Sequence, residues 1–455
     1  MTNTDIQAAY VGSSEAVKMY LGTDIVWEKQ SPVPPGPDLP YSAQPFTIEV
    51  IDTSGGNEIN FNKIVAGQNS TSAVTSTAPN RKLYYTINIP FTLSGGNPWR
   101  KDGQYDVHVL ESNGTISGLS SGDTIRFYTF VESPNNPDYP PFDGTEYCGP
   151  FGTSANTGSN VVPTNSFGHS TASFIVYGNI LSLITYEWTT LVRALPYTTF
   201  EELSWAHGTN PSSYNIFNGL FATSGTNVNV RCKLDNAENL VLPQDTRYGC
   251  YAHMFKRTRL FENPPILPAT DLSSFCYYNM FDGCADLREA PELPATIMKP
   301  TCYGSMFSKC TSLEVAPELP ATSLVGGAGC YSNMFNGCTM LREVPELPAT
   351  TLISNCYISM FQGCRNMTGT PVLSATTLVT QCYSRMFNGC RNISEIICLA
   401  TNPTTGACNA WLQGASSAGT FHKASGATWP SGTSGIPTGW TTENYVEPAA
   451  ENTGQ

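Results

Sequence analysis

The pair Cys-Tyr recurs at residues 250, 276, 302, 330, 356 and 382, and no other feature of this chain restricts its fold so tightly. The step is 26 residues, lengthened once to 28 by the extra Gly326-Gly327. Met-Phe follows at 254, 280, 306, 334, 360 and 386, and a second cysteine at 284, 310, 338, 364 and 390. With the first cysteine of each copy as position 0, apolar residues fall at 0, +1, +4, +5 and +8. That spacing predicts one face of a short helix, with Gly283, Gly337, Gly363 and Gly389 where a left-handed C-terminal cap is wanted. The second half of each copy, as in "LREVPELPATTL" (341–352), reads as a short strand terminated by prolines. Such a unit is too small to bury its own apolar face, so the copies must stack. The stretch "LDNAENLVLPQDTRYG" (234–249) supplies the second half of a preceding, degenerate copy.

The register bears on the fifteen cysteines. On one helix face, positions 0 and +8 would lie about 12 Å apart at 1.5 Å per residue, beyond the roughly 7 Å that a disulfide spans. Bridges within a copy are disfavoured; the remaining readings are small apolar filler in two buried columns, disulfides between successive coils, or metal. Packing is the favoured one, because there is no C-x2-C pair and no histidine at fixed spacing.

Upstream, "AVKMYLGTDIVW" alternates apolar and polar residues around a turn at Gly22-Thr23-Asp24, which predicts two short strands. The segment "SPVPPGPDLP" (31–40) predicts a stiff extended linker. Between Gln44 and Ile184 the runs "FTIEVI", "EINFNKIV", "KLYYTINIPF", "YDVHVL", "DTIRFYTFV" and "ASFIVYGNIL" are separated by turn residues with no helical period between them, the pattern of a β-sandwich. The expected fold is mainly β with short helices. It divides into an N-terminal β module (1–30), a Pro-rich linker (31–41), an Ig-like β-sandwich (42–185), a cap with a first degenerate repeat (186–249), a repeat solenoid (250–400) and a C-terminal cap and tail (401–455).

The run "MFNGCTMLREVPELPATTL" resembles the BspA-like, Treponema-type leucine-rich repeat, over about residues 234–400. The tail "FHKASGATWPSGTSGIPTGWT" (421–441) resembles the closing segment that follows such repeats. The block "ASFIVYGNILSLI" (172–184) resembles a junction found in proteins of gut Bacteroidales and their phages, and "AYVGSSEAVKMYLGTDIVWE" resembles a short N-terminal module of structural proteins of those phages. The resemblance implies a leucine-rich-repeat solenoid used for adhesion and partner binding.

Glu292, Glu318 and Glu346 share position +16 of three successive copies, with Glu289 and Glu343 three residues earlier in two of them. Parallel strands stack about 4.8 Å apart, so these carboxylates would form a column that is either a solvated face or a ridge for a ligand or Ca²⁺. Tyr277, Tyr303, Tyr331 and Tyr357, each following a first cysteine, are expected either as a stacked column for sugar rings or as cover for the helix side with the hydroxyl at the surface. Trp188, Trp205, Trp411, Trp429 and Trp440 fall outside the regular copies and are expected to pack the caps.

The histidines 108, 169, 207, 253 and 422 share no spacing, and G-x-S-x-G, H-E-x-x-H and P-loop motifs are absent. No catalytic residue, metal or cofactor is expected. A net charge of −13 without a Lys/Arg cluster excludes nucleic acid as a partner, and no stretch approaches the roughly 18 apolar residues of a membrane span. The opening residues lack a basic region followed by an apolar run, so the chain is expected to fold in a reducing cytoplasm.

The leading expectation is a phage virion structural protein: a head or tail fibre or a capsid decoration. It would dock to other virion proteins through its N-terminal module, assemble as a homo-oligomer, and bind a bacterial surface polysaccharide or protein. The alternatives are a BspA-like bacterial surface adhesin and, less favoured, a polysaccharide depolymerase.

Overall fold

The computed structural model describes residues 6–10, 16–21 and 24–28; 41–61, 82–89, 100–101, 104–105, 107–111, 114–128, 166–183 and 217–223; and 231–446 apart from 261–262, 402 and 404–405. Two compact units divide the chain, Met1–Pro40 and Tyr41–Gln455. In the first, β1 (Ile6–Tyr10), β2 (Ala16–Leu21) and β3 (Asp24–Glu28) form an antiparallel sheet in chain order. Leu21 stands opposite Asp24, the register of a two-residue hairpin, and β1 adds a strand beyond the two expected. The linker expected at 31–41 lies outside the described residues except for Tyr41.

The second unit is also built mainly from strands, with only two short 3-10 turns (Tyr41–Ala43 and Ile180–Leu183) among the described residues. Its N-terminal part holds β4 (Thr47–Asp52), β5 (Ile59–Phe61), β6 (Lys82–Ile87), β7 (Arg100–Lys101), β8 (Gln104–Tyr105), β9 (His108–Glu111), β10 (Gly114–Ile116), β11 (Thr124–Tyr128) and β12 (Ser173–Asn179). Strands β12, β4, β11, β6 and β9 lie side by side, β5 pairs with β10, and β7 with β8. Phe46, Phe127 and Phe167 fill the space between them, with ring centroids 5.4–6.1 Å apart.

β12 pairs antiparallel with β4 on one side and parallel with β13 (Leu234–Asn236) and β14 (Leu240–Val241) on the other, so it shares a sheet with the first coil of the repeats. Gly178 makes the join: its φ is +87°, and a Cβ there would stand 2.0 Å from the carbonyl oxygen of Pro45. Phe221 stacks on Phe255 of the first regular copy, 5.4 Å away, and also meets Phe46 and Phe167, so one apolar core runs from the strands into the coils.

The first half of each repeat is not an α-helix. Backbone N–H groups alternate. Those at even positions bond three residues back, as Cys276 to Ser273 (3.3 Å), Tyr278 to Phe275 (3.1 Å) and Met280 to Tyr277 (3.1 Å). Those at odd positions reach the next coil: Tyr277 to Cys302 (3.0 Å), Asn279 to Gly304 (3.0 Å), Phe281 to Met306 (2.9 Å) and Gly283 to Ser308 (2.8 Å). An α-helix commits its interior N–H groups to the carbonyl four residues back and has none to lend.

The ribbon of turns requires a left-handed residue at −1, +3 and +7, a period of four rather than 3.6. These are Phe275, Asn279 and Gly283 in one copy, and Thr301, Ser305 and Lys309 in the next. Gly283, Gly337, Gly363 and Gly389 are thus regular ribbon positions, not C-caps, and Arg257 and Lys309 occupy the same place at φ 59° and 61°. Each L-residue there costs roughly 1–2 kcal/mol, which the bonds between coils must offset.

The same ribbon precedes the first Cys-Tyr. Phe217, Gly219 and Phe221 donate to Cys250, Ala252 and Met254 (2.8–2.9 Å), so 217–223 is the first half of the degenerate copy.

In the second halves, residues alternate: Pro291, Leu293 and Ala295 are buried, whereas Glu292, Pro294 and Thr296 are exposed. Prolines at +15 and +18 lack N–H groups, so neighbouring coils meet there only in isolated parallel bridges such as Asp271 to Ile297 and Ser323 to Thr351. Where Ser374 replaces the +18 proline, a ladder forms: β15 (Val372–Leu373), β16 (Glu395–Cys398), β17 (Gly419–Lys423) and β18 (Trp440–Asn444), all parallel and in chain order.

All fourteen described cysteines are free and buried. The second column does more than fill space. Its thiols donate to the Phe carbonyl of the preceding coil: Cys284 to Phe255 (2.9 Å), Cys310 to Phe281 (3.1 Å), Cys338 to Phe307 (3.0 Å), Cys364 to Phe335 and Cys390 to Phe361 (both 3.0 Å). Burial pushes Cys284, Cys302 and Cys390 up to about 12, so these sulfurs are neither nucleophiles nor thiolate ligands at neutral pH. Cys338→Ala should lower stability by about 1 kcal/mol and Phe307→Ala by about 3–5 kcal/mol, whereas a reductant should leave the thermal midpoint unchanged. Calorimetry with and without reductant checks all three.

His253 occupies a left-handed position, buried to 3% exposure, with Nδ1 unbonded. Burial, aided by the nearby Lys256 charge, pulls its pKa down to about 3. The folded protein therefore refuses a proton that the unfolded chain accepts below about 6.5, and stability falls between pH 6.5 and 3. His253→Asn places there the residue that Asn279 and Asn333 supply in later copies. The variant should lose this part of the acid destabilisation, on the order of 4 kcal/mol by pH 3, in midpoints measured across that range.

Candidate binding surface

The repeats sort their side chains by depth. Inside, Tyr251, Tyr277, Tyr303, Tyr331, Tyr357 and Tyr383 form a stacked column with centroids 5.6–6.0 Å apart, begun by Phe217 and closed by Trp411. Tyr277, Tyr303, Tyr331 and Tyr357 are 1–2% exposed, so these rings are core and present no face to a sugar. The hydroxyls of Tyr277, Tyr303 and Tyr331 are buried and unbonded, and burial pushes all four hydroxyls well above the usual phenol range. The expectation of a surface hydroxyl rested on a helix too wide for the observed ribbon. At +1 and +5 the ribbon aims both aromatics inward.

Outside, positions +16, +18 and +20 point away from the core. Glu292, Glu318 and Glu346 are all exposed and fall in one column, extended by Ile266 (72% exposed) at one end and Val372 (44%) at the other. Thr270, Thr296, Thr322, Thr350 and Thr376 form a second exposed column at +20. Sequence reasoning found the glutamates and missed the threonines, although "PAT" or "SAT" recurs in each of these copies. At +12, Arg288, Glu314 and Arg342 alternate in sign, and Arg342 pairs with Glu314 at 2.7 Å. Both partners are exposed, so the pair contributes less than about 1 kcal/mol.

At the C-terminal end the column passes into the ladder, where Val372, Ile397, His422 and Glu443 stand in register. His422 Nε2 lies 2.8 Å from Glu395 Oε1, and Nδ1 lies 3.7 Å from Glu443 Oε2. Thr370 donates to the other Glu395 oxygen at 2.6 Å. The Thr370 hydroxyl, and then the His422 bond, hold the Glu395 carboxyl below its usual range. The cluster ties adjacent strands through opposite sides of one imidazole, and its two carboxylates do not converge. Among the described residues no three His, Cys, Asp or Glu side chains converge as a metal ion would require, so the acidic column offers Ca²⁺ no ready cage.

Of the tryptophans, Trp411, Trp429 and Trp440 pack the C-terminal cap, with Trp411 stacked on Trp429 at 5.6 Å; Trp188 and Trp205 lie outside the described residues. No described helix is long and apolar enough to cross a membrane. The chain matches no family model, no curated protein and no solved structure.

Proposed function

We propose that this chain is a non-catalytic attachment protein of a phage virion, a head or tail fibre or a capsid decoration. In this reading an Ig-like sandwich caps a BspA-like leucine-rich-repeat solenoid, the N-terminal unit docks to other virion proteins, and the assembled form is a homo-oligomer. Its ligand is a bacterial surface polysaccharide or a gut glycan or protein.

The observation that carries the reading is the strict sorting of each coil. Every aromatic ring of the two columns is committed to the core, while the +16 and +20 residues of successive coils form ordered outward columns that the core does not use. A rigid surface repeated once per coil suits an extended or repetitive partner. The resemblance of the opening residues to phage structural modules favours a virion over a bacterial cell surface.

Two measurements test it. Mass spectrometry of gradient-purified particles should find the chain at stoichiometric level. Recovery only from the envelope of uninfected bacteria would establish the adhesin reading instead. In a pull-down with intact host cells, Glu292→Lys/Glu318→Lys/Glu346→Lys should reduce bound protein by an order of magnitude or more while the unfolding free energy stays within about 1 kcal/mol of the parent. Undiminished binding would remove the acidic column from the recognition surface.

A further inference from the structure

The cap that closes the coils carries a surface hollow of about 280 Å³, half open to solvent, between the loop 412–417 and the loop 432–438 that leads into β18. Leu412, 3% exposed, gives it an apolar base. Its polar lining is Gln413, Ser416, Ser417, Thr433 and Thr438, and no lining residue ionises. Ser417, Thr433 and Thr438 are exposed and Ser416 half-buried, and among the described residues their hydroxyls bond no group of the chain, so they face the solvent that a ligand would replace. The Gln413 Oε1 accepts from the Asn388 amide at 3.4 Å, which leaves the Gln413 NH₂ as a donor.

Both walls are fixed from behind. Trp440 Nε1 donates to the Ser416 carbonyl (2.8 Å), and Trp411 Nε1 to the Gly435 carbonyl (2.7 Å); both indoles are buried. Within the second loop, Gly432 donates to Ile436 (2.7 Å) and Gly435 to Gly432 (3.0 Å). The hydroxyls are therefore carried on loops held in place before any ligand arrives.

We propose that this hollow binds a single neutral pyranose residue through its hydroxyl groups, which deepens the attachment reading above and rests on it. The volume falls just below the roughly 300–1,000 Å³ of sites for drug-sized molecules, which suits one sugar ring inside the hollow. Sugar hydroxyls each donate and accept, and the serine and threonine hydroxyls do the same, so either sense of each bond can be met. A carboxylate or ammonium on the ligand would lose water and find no opposite charge. No aromatic ring lines the hollow, so affinity comes from hydroxyl bonds alone. It is weak per site and becomes useful through many copies on one particle.

Ligand-observed saturation-transfer NMR on the full chain, with glucose, galactose and N-acetylglucosamine as probes and glucuronate as the charged control, tests this. At least one neutral sugar should give a saturable signal that Thr433→Trp abolishes by filling the hollow. Thr438→Val, which removes one hydroxyl at constant shape, should weaken that signal roughly three- to tenfold. Thermal midpoints of both variants should match the parent, because these side chains bond nothing in the fold.

Absence of a saturable signal from every neutral sugar, a signal that survives Thr433→Trp, or equal binding of glucuronate would each overturn the proposal. Particle and cell binding are read separately. If Thr433→Trp still binds host cells and no sugar signal exists, the hollow's assignment fails and the attachment reading stands. A chain missing from particles with an intact sugar signal has the opposite meaning.

Discussion

The hydrogen bond from an odd-numbered ribbon N–H to the next coil is the interaction on which the rest depends. It sets the distance between coils, and with it the 5.4–5.7 Å spacing of the Phe column from Phe221 to Phe387. It also fixes the direction of every side chain. Because N–H groups alternate between near and far acceptors, the backbone repeats every four residues, and a left-handed residue is needed at each repeat. The even-position N–H closes each turn on itself, so no ribbon donor is wasted. Rings at +1 and +5 then fall inward in every coil, and thiols at 0 and +8 fill the gaps left beside them. The Cys310 thiol bonds a carbonyl, that of Phe281, which also accepts from the Cys284 N–H, so small size and a donor are both required at +8. Thr258 holds that place in the first regular coil, where its hydroxyl lies 3.3 Å from Cys284 Sγ.

Much of this was legible in the sequence. The 26-residue period, the need to stack, the strand runs of the N-terminal part and the outward Glu292, Glu318 and Glu346 follow from spacing alone. What spacing could not separate was helix from ribbon: positions 0, +1, +4, +5 and +8 satisfy a period of 3.6 and a period of four equally well over nine residues. The deciding residues were polar ones. Asn279, Ser305, Asn333 and Ser359 all sit at +3, where a left-handed turn tolerates Asn most readily, and Arg257 and Lys309 at the +7 Gly position disguised the pattern. The buried Tyr column was misplaced for the same reason. Phe217 and Phe221 were hidden because their coil lacks the Cys-Tyr signature, and only hydrogen bonds to Cys250 and Met254 reveal them. The His422 cluster joins residues from three separate strands, a proximity that no local pattern encodes.

The ends of a stack of coils obey a different constraint from its middle. An interior coil finds both neighbours ready-made, and its side chains close against identical partners, as Phe281 does between Phe255 and Phe307. A terminal coil has one such face and must invent the other. At the N-terminal end the solution is to continue the sheet: β12 pairs with β13 and β14, and Phe167 and Phe46 supply the missing rings for Phe221. At the C-terminal end the proline spacing stops, β15 to β18 form a true ladder, and Trp411, Trp429 and Trp440 replace the smaller aromatic rings. Gly414 still stacks on Gly389, where an added Cβ would stand 3.4 Å from its backbone, and Thr420 pairs with Glu395 at the same spacing, so the irregular stretch lies between them, where Ser416 donates to Ile393. Regular coils therefore supply a repeated surface and fill their own interior, and the hollow between 412–417 and 432–438 lies where the period breaks. A protein built this way can alter its outward columns one coil at a time at little cost to the core. Its concave site depends instead on a few indole bonds behind the loops at one end.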